Sequence, residues 1–248
     1  MVNESTDGKS VIMAKTLATA NDTYGAPVMH DVFQGSPEWH ALRCGMITGS
    51  IVGNLITPTG KIANNGTSRA CLADLLAQRI TGYVDPGFEN FDMQRGAEDE
   101  PIARALYVAR YAPVEKVGFV TREVAPGVVI GCSPDGLVGA DGGIEIKSRK
   151  PKIQIATVLE SAVPPENVMQ IQASMLITQR PWWDFISYSG GLPLVVIRCM
   201  ADEKLHALII EAVSAAENSM AEMRADYENA LTKNTWRPTE RVSREIEI

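Results

Sequence analysis

The sequence predicts an α/β fold with one mixed central β-sheet flanked by α-helices. Helical patterns fill the chain up to residue 111, and four short strand patterns follow between residues 114 and 148. One helix, two further strands and one long helix then complete the pattern. Helices on either side of a run of strands are typical of a sheet that is covered by helices.

The bulk composition is that of a globular protein. Hydrophobic residues make up 45% of the 248 residues, which is enough for a core. We expect a flexible polar arm over residues 1–25, a single domain over 26–235 and a polar tail over 236–248. No apolar run approaches about 18 residues, so we expect no membrane segment, and the N-terminus lacks the continuous apolar region of a secretory signal.

Cysteine usage and net charge limit the function classes. The four cysteines lie far apart with no C-x-x-C pair, which favours a reducing cytoplasm over zinc or disulfides. A formal net charge of -7 alone argues against a nucleic-acid partner. That objection is moderate, because positive charge can be concentrated on one surface.

The helical patterns of the first part have recognisable starts and ends. Ser36 and Pro37 are suited to the N-cap and the first position of a helix that stops near Gly45. Trp39 in this helix is interpreted as core packing. The remaining predictions for this part are a helix from residue 48, a loop over 58–66, a helix over 68–80 and a helix over 96–111 with Pro101 in its first turn.

Strand patterns dominate the middle of the chain. Predicted strands cover residues 114–121, 128–131, 137–139 and 143–148, and Asp141-Gly142 predicts a tight hairpin turn between the last two. The second half adds a helix over 166–178, strands over 185–189 and 194–199, and a helix over 202–231.

Two carboxylates and a lysine are the strongest chemical signal. Residues 132–136 read CSPDG, and the predicted strand over 143–148 contains Glu145 and Lys147. Residues two apart on a strand share a face, and a hairpin brings Asp135 beside Glu145. Paired carboxylates suit Mg²⁺, which prefers oxygen ligands, and the carbonyl of Ile146 could add another. A lysine there could orient or deprotonate water, or stabilise a phosphoryl transition state.

A plainer interpretation stays open from spacing alone. An Asp-x9-Glu-x-Lys pattern arises by chance, and a Glu/Lys pair on a strand usually marks a solvated face. Charges alternating with apolar residues in a central strand are costly unless they are used, which favours a metal-dependent nuclease.

Four separate sequence blocks match the motifs of a known family. They are WHALRCGMITGS at 39–50, GAEDEPIAR at 96–104, CSPDGL at 132–137 with EIK at 145–147, and the weaker QIQASM at 170–175. These blocks resemble the lambda exonuclease and YqaJ-type viral recombinase nuclease family of the PD-(D/E)xK superfamily. Together they span roughly residues 33–200 in the family's order. The resemblance implies a restriction-endonuclease-like core.

The resemblance also implies roles for individual residues. The catalytic set comprises the acidic residues, the lysine and one glutamine: Asp135, Glu145, Lys147, Glu100 and Gln170. Asp135, Glu145 and the Ile146 carbonyl would hold Mg²⁺, or Mn²⁺. A pocket for the 5′-phosphate of a DNA end would comprise Arg43, Ser50 and Ser133. Without the family, each residue outside the Asp135–Glu145–Lys147 set has a plain surface, capping or helix-dipole interpretation.

The function implied by the resemblance is a Mg²⁺-dependent 5′→3′ exonuclease on double-stranded DNA ends. It would leave 3′ single-stranded tails for phage-type recombination and repair, as a trimeric ring with a single-strand annealing protein, in bacterial cytoplasm and of phage or prophage origin. The alternatives are an endonuclease or nuclease-helicase module, or a DNA-end-binding protein with a vestigial site. The basic strip 148–152, which departs from the lambda pattern, is either a contact to the DNA backbone or a loop of exposed charge. Lys61 and Arg69 in the 58–69 loop are further candidates for DNA contact.

Overall fold

The computed structural model describes residues 24–85 and 91–241, so the predicted arm lies almost entirely outside the described residues. The helices are α1 (Pro37–Arg43), α2 (Gly49–Val52), α3 (Gly66–Thr81), α4 (Phe91–Arg110), α5 (Pro151–Glu160), α6 (Pro165–Thr178) and α7 (Glu203–Lys233). The strands are β1 (Val28–His30), β2 (Phe119–Ala125), β3 (Val128–Cys132), β4 (Gly136–Val138), β5 (Gly142–Ser148), β6 (Trp182–Tyr188) and β7 (Val195–Met200). No helix within the described ranges has the length and apolar character needed to cross a membrane.

The α/β class and the mixed sheet are confirmed, but the expectation of a single sheet is wrong. Strands β1, β2 and β3 form an antiparallel sheet, and β4 to β7 form a second sheet in which β5 and β6 are parallel. The predicted strand over 114–121 does not exist as one element. Glu115 instead makes an isolated bridge to Leu137, and β2 begins only at Phe119.

Close packing at Gly118 explains where that strand is interrupted. A Cβ on Gly118 would lie 1.9 Å from the carbonyl oxygen of Val32, so the chain segment before α1 occupies this space. The chain therefore changes from one sheet to the other just before β2.

Helix α6 lies between the two sheets and fixes the centre of the molecule. Ala173, Leu176 and Ile177 pack into the core that α6 shares with the first sheet and with α7. Ile171 and Met175 pack against Trp183 and Phe185 of the second sheet. Because α6 is held on both sides, its polar residues have fixed positions relative to β3 and β5.

Most helix predictions are close to the structure, and the deviations have local causes. The Ser36 side chain accepts a hydrogen bond from the Trp39 N–H at 3.2 Å, as expected for an N-cap. Helix α3 begins two residues earlier than predicted because Asn65 and Ser68 form a reciprocal capping box. Residues 166–178 and 202–231 are helical with small shifts at their ends, as α6 and α7.

Two local predictions are wrong. Pro101 lies inside α4 and not in its first turn, because the helix begins at Phe91 and already has an Arg95–Asp92 ion pair of 2.7 Å. The hairpin between β4 and β5 is not a two-residue Asp141-Gly142 turn. Val138 pairs with Gly142, and the intervening turn uses Gly139 at φ +53°. The predictions also missed β1 and α5.

Candidate active site

Strand β5 presents the predicted glutamate and lysine on one face. Glu145 is buried, with 3% of its surface exposed. The Lys147 Nζ lies 2.7 Å from Glu145 Oε1, as expected for side chains two residues apart on a strand. The Gln170 amide, from α6, donates to the same oxygen at 2.6 Å. Neither contact uses Glu145 Oε2.

Asp135 lies in the turn between β3 and β4 and faces the same strand. Its Oδ2 accepts a hydrogen bond from the Ile146 N–H at 2.5 Å, which ties the turn to β5. The Arg104 Nε donates to the Asp135 carbonyl oxygen at 3.0 Å, and the same guanidinium is ion-paired with Glu100. Arg104 therefore holds Glu100 and the Asp135 turn together.

The carboxyl groups of this cluster are electrostatically strained. Desolvation raises the pKa of Asp135 well above its ordinary value, and the nearby charges of Glu145 and Glu100 raise it further. Desolvation also raises the pKa of Glu145, although Lys147 opposes the shift. Burial alone would lower the pKa of Lys147, but the negative charges of Glu145 and Asp135 outweigh it and raise that pKa. Positive charge is therefore favoured at this point.

The residues present suit a hard divalent cation. Among residues 24–85 and 91–241, no three His, Cys, Asp or Glu side chains are grouped as a complete metal-binding set. Mg²⁺ needs no such set, since it typically takes one or two carboxylates and keeps several waters. Asp135 and Glu145 each place only one oxygen in a contact with Ile146, Lys147 or Gln170. The second carboxylate oxygens of Asp135 and Glu145 make none of these contacts, so they could bind Mg²⁺.

A separate polar cavity lies beside the carboxylates. Its volume is about 170 Å³, and the predicted residues Arg43, Ser50 and Ser133 all line it. The Arg43 Nη1 donates to Ser133 Oγ at 3.2 Å, and the guanidinium lies 4.3 Å from the centre of the Trp39 ring. We call this the Arg43 cavity. Desolvation lowers the pKa of Arg43, but a guanidinium keeps its charge at neutral pH.

The Arg43 cavity and the carboxylate cluster are directly connected. Gln170 lines the cavity and donates to Glu145, so one amide touches both. Ser133 lines the cavity only two residues before Asp135. The structure thus brings together all the predicted side chains around one continuous feature.

Other polar residues of the site were not predicted to act there. Trp39 is not core packing, since it is partly exposed and its indole N–H donates to Ser133 at 2.8 Å. Thr48 also lines the cavity and is bonded to Ser50 at 3.0 Å. The sequence blocks contained Trp39 and Arg104, so the signal was present, but their partners are remote in the chain.

The basic strip 148–152 is engaged within the protein. Ser148 at the end of β5 donates to Asp99 at 2.6 Å. Arg149 is bonded to Asn167, and Lys150 forms an ion pair with Asp92 at 2.8 Å. These contacts connect α4 and α6 to the end of β5.

Known proteins resemble this chain in sequence and in structure. The family model described as the YqaJ-like viral recombinase domain matches residues 38–181. A comparison with curated proteins finds no match. The alkaline exonuclease LHK-Exo from Laribacter hongkongensis is 34% identical with a TM-score of 0.71, covering 80% of this chain and 100% of that chain. Its complex with dAMP gives 35% identity and a TM-score of 0.72 over the same shares.

A more distant structure shares the fold. It is a phage related exonuclease from Haemophilus somnus 129PT, 16% identical with a TM-score of 0.55, covering 73% of this chain and 96% of that chain. The family match extends over more than half of the chain and includes every predicted site residue. The chain therefore belongs to the YqaJ-like viral recombinase family.

Proposed function

We propose that this protein is a Mg²⁺-dependent exonuclease that degrades one strand of double-stranded DNA from its 5′ end. The observation that carries the proposal is the Gln170 amide, which lines the Arg43 cavity and bonds Glu145. A phosphate held by Arg43 would lie directly beside the carboxylates. Exonuclease activity is also what the names of the similar proteins state.

The Arg43 cavity has the properties of a site for a terminal phosphate. A guanidinium binds phosphate oxygens with two parallel hydrogen bonds, and hydroxyl groups such as Ser133 and Ser50 can donate to the remaining oxygens. The cavity is small, about 170 Å³, and most of its lining residues are polar, which suits a terminal phosphate. Anchoring the 5′-phosphate there sets the direction of cutting.

The carboxylates would hold the metal, and the lysine would act on the reacting groups. Asp135, Glu145 and the Ile146 carbonyl are the proposed Mg²⁺ ligands, with Glu100 completing the acidic surroundings. A divalent cation held by these residues would supply polarisation of the scissile phosphodiester and a lowered pKa for a bound water. The Lys147 ammonium, held 2.7 Å from Glu145, donates hydrogen bonds to that water or to the developing negative charge. Gln170 keeps Glu145 in place.

The assembly and the cellular role that we propose are those implied by the family resemblance. We propose a ring-shaped trimer that encloses the duplex, which would account for DNA binding by a chain of net charge -7. The 3′ single-stranded tails would pass to a single-strand annealing protein during phage-type recombination in a bacterial cytoplasm.

Substrates that differ only at their ends test the proposal. Linear duplex with 5′-phosphate ends, linear duplex with 5′-hydroxyl ends and closed circular duplex are incubated with Mg²⁺ or with EDTA. The proposal expects Mg²⁺-dependent loss of the 5′-phosphorylated strand, slower loss of the hydroxyl form and an intact circle. Cutting of the circle would favour an endonuclease, and binding of ends without any cutting would favour a vestigial site.

A further inference from the structure

A second cavity lies on the other side of the Asp135 turn from the Arg43 cavity. Its volume is about 260 Å³. Its lining includes the apolar residues Phe33, Val117 and Pro134 and charged residues of both signs, Asp31, Glu100, Asp135, Arg104 and Lys116. We call it the Phe33 cavity. The Arg43 cavity is lined by Ser133 and the Phe33 cavity by Pro134 and Asp135, so the two cavities adjoin successive residues of the Asp135 turn.

The walls of the Phe33 cavity are fixed by the fold. The Gln34 amide donates to the Val117 carbonyl at 2.9 Å and to the Pro134 carbonyl at 3.0 Å. The Val32 carbonyl packs so closely on Gly118 that no larger residue fits there. The segment before α1 is thus joined to the β2 approach and to the Asp135 turn, and the cavity needs no rearrangement to form.

The exposed groups at this cavity are those that bind nucleic-acid strands. Phe33 is 87% exposed, which leaves its ring faces available. Lys116 is also exposed, and it has no ion pair among residues 24–85 and 91–241. Aromatic rings that stack on bases, beside cations that follow the backbone, are the usual means of holding single strands.

We propose that the Phe33 cavity binds the nucleotide on the 3′ side of the scissile phosphate, with its base stacked on Phe33 and its next phosphate near Lys116. This deepens the proposed function and rests on it. A 5′-phosphate in the Arg43 cavity places the first nucleotide across Ser133, and the phosphodiester that follows reaches Asp135 and Glu145. The second nucleotide then continues past Pro134.

The charge distribution agrees with this placement. The three carboxylates of the lining, Asp31, Glu100 and Asp135, repel a phosphate unless a cation is bound among them, since Arg104 is already ion-paired with Glu100. A base is neutral and can lie against Phe33, Val117 and Pro134 without that cost. Lys116 lines the cavity and makes no ion pair within the described ranges 24–85 and 91–241, so its ammonium can contact the phosphate that follows.

A binding cycle tests the base contact without depending on catalysis. The dissociation constants of wild type and Phe33→Ala are measured with Mg²⁺ and 5′-phosphorylated DNA ends whose first internucleotide linkage is non-hydrolysable. The strand carries a normal second nucleotide, an abasic analogue at the second position, or one at the third. Tyr227→Ala, an exposed aromatic of α7, is the matched control. Loss of one stacked base should weaken binding by about 5- to 150-fold.

The proposal expects that loss with normal DNA and with the abasic third position. It expects less than about a twofold change with the abasic second position, because the stacking partner is already missing. Lys116→Ala should reduce the slope of the logarithm of the binding constant against the logarithm of salt concentration by about one, the value for one phosphate contact. Lys204→Ala should leave that slope unchanged. An equal loss on all three substrates, or none, overturns the inference; an equal loss with a changed oligomeric state would make Phe33 a subunit contact.

Failure of this inference differs from failure of the proposed function. Mg²⁺-dependent 5′ degradation by a wild type that shows no Phe33 coupling would remove only the second-nucleotide site. Coupling at the second nucleotide without any degradation would remove the exonuclease and leave a strand-binding site. Absence of binding to DNA ends would remove both.

Discussion

Replacing Arg43 should abolish the preference for a 5′-phosphate while leaving the chemistry in place. The Arg43 guanidinium is held by the Ser133 hydroxyl at 3.2 Å and by the Trp39 ring at 4.3 Å, so it is oriented before a ligand binds. One N–H is used by Ser133, and the remaining donors can meet phosphate oxygens. Arg43→Ala removes those donors and leaves the carboxylates untouched.

The magnitude follows from two charge-assisted hydrogen bonds. Each contributes about 1.5–3 kcal/mol, so the lower limit for a bidentate contact is about 3 kcal/mol. That corresponds to about a 150-fold fall in kcat/KM on 5′-phosphorylated ends. Arg43→Lys keeps the positive charge but loses the bidentate guanidinium contact and the stacking on Trp39. Its kcat/KM on 5′-phosphorylated ends should fall by about tenfold. Neither variant should change kcat/KM on 5′-hydroxyl ends by more than about twofold, because no phosphate contact exists there.

The assay is the initial rate of strand loss from matched 5′-phosphate and 5′-hydroxyl duplexes with Mg²⁺. Arg224→Ala, an exposed ion-paired arginine of α7, controls for the loss of one positive charge. Thermal denaturation checks that each variant is folded. Equal losses of kcat/KM on both substrates would show that Arg43 does not bind the 5′-phosphate and would assign it to folding or to general DNA affinity.

Three further substitutions test the site and its supports. Because the pKa of Asp135 is raised above 3.8, folding favours its protonated form, and the stability of the protein falls as pH rises from 3.8 through the folded-state pKa. Asp135→Asn, which cannot ionise, should therefore raise Tm at pH 8 in EDTA and give no gain at pH 3. The same variant should have no cutting activity. Tyr107→Phe removes a 2.6 Å hydrogen bond to buried Asp184 and should cost about 1.5–3 kcal/mol in urea denaturation, with kcat unchanged within about twofold. Arg104→Lys should lower kcat by about tenfold or more with little change in KM, because the contacts to Glu100 and the Asp135 carbonyl cannot both be kept; an unchanged kcat would remove Arg104 from the positioning of the site.

The strand that contains Glu145 and Lys147 could be predicted from the sequence because its signal is local. Alternation of Glu145 and Lys147 with Ile146 fixes which side chains share a face, and the strand does so in the structure. The CSPDG turn likewise places Asp135 next to that strand. Periodicity carried this information without any knowledge of the rest of the fold.

Residues brought in from other elements could be predicted only through the family resemblance. Gln170 lies on α6 and Glu100 on α4, and no local pattern links either to β5. The bond between Trp39 and Ser133 joins residues that are 94 positions apart, so Trp39 was misinterpreted as core. Contacts of this kind depend on how helices pack on the sheets.

The division into two sheets was also hidden from the sequence. The residues from 114 to 121 have the composition of one strand, but the close approach of Val32 to Gly118 interrupts it. That approach depends on a segment more than 80 residues earlier in the chain. Propensity cannot report such a tertiary override.

If cutting begins at a 5′-phosphate and proceeds inward, the two ends of one strand must be released in a fixed order. The most direct measurement uses a linear duplex in which one strand has a 5′-phosphate and distinct labels near its 5′ and 3′ ends, with the other strand blocked at its 5′ end. With Mg²⁺, we expect the 5′ label to enter the mononucleotide fraction first and the 3′ label to stay in long DNA. Earlier release of the 3′ label, or internal cuts that keep both labels in oligonucleotides, would contradict it.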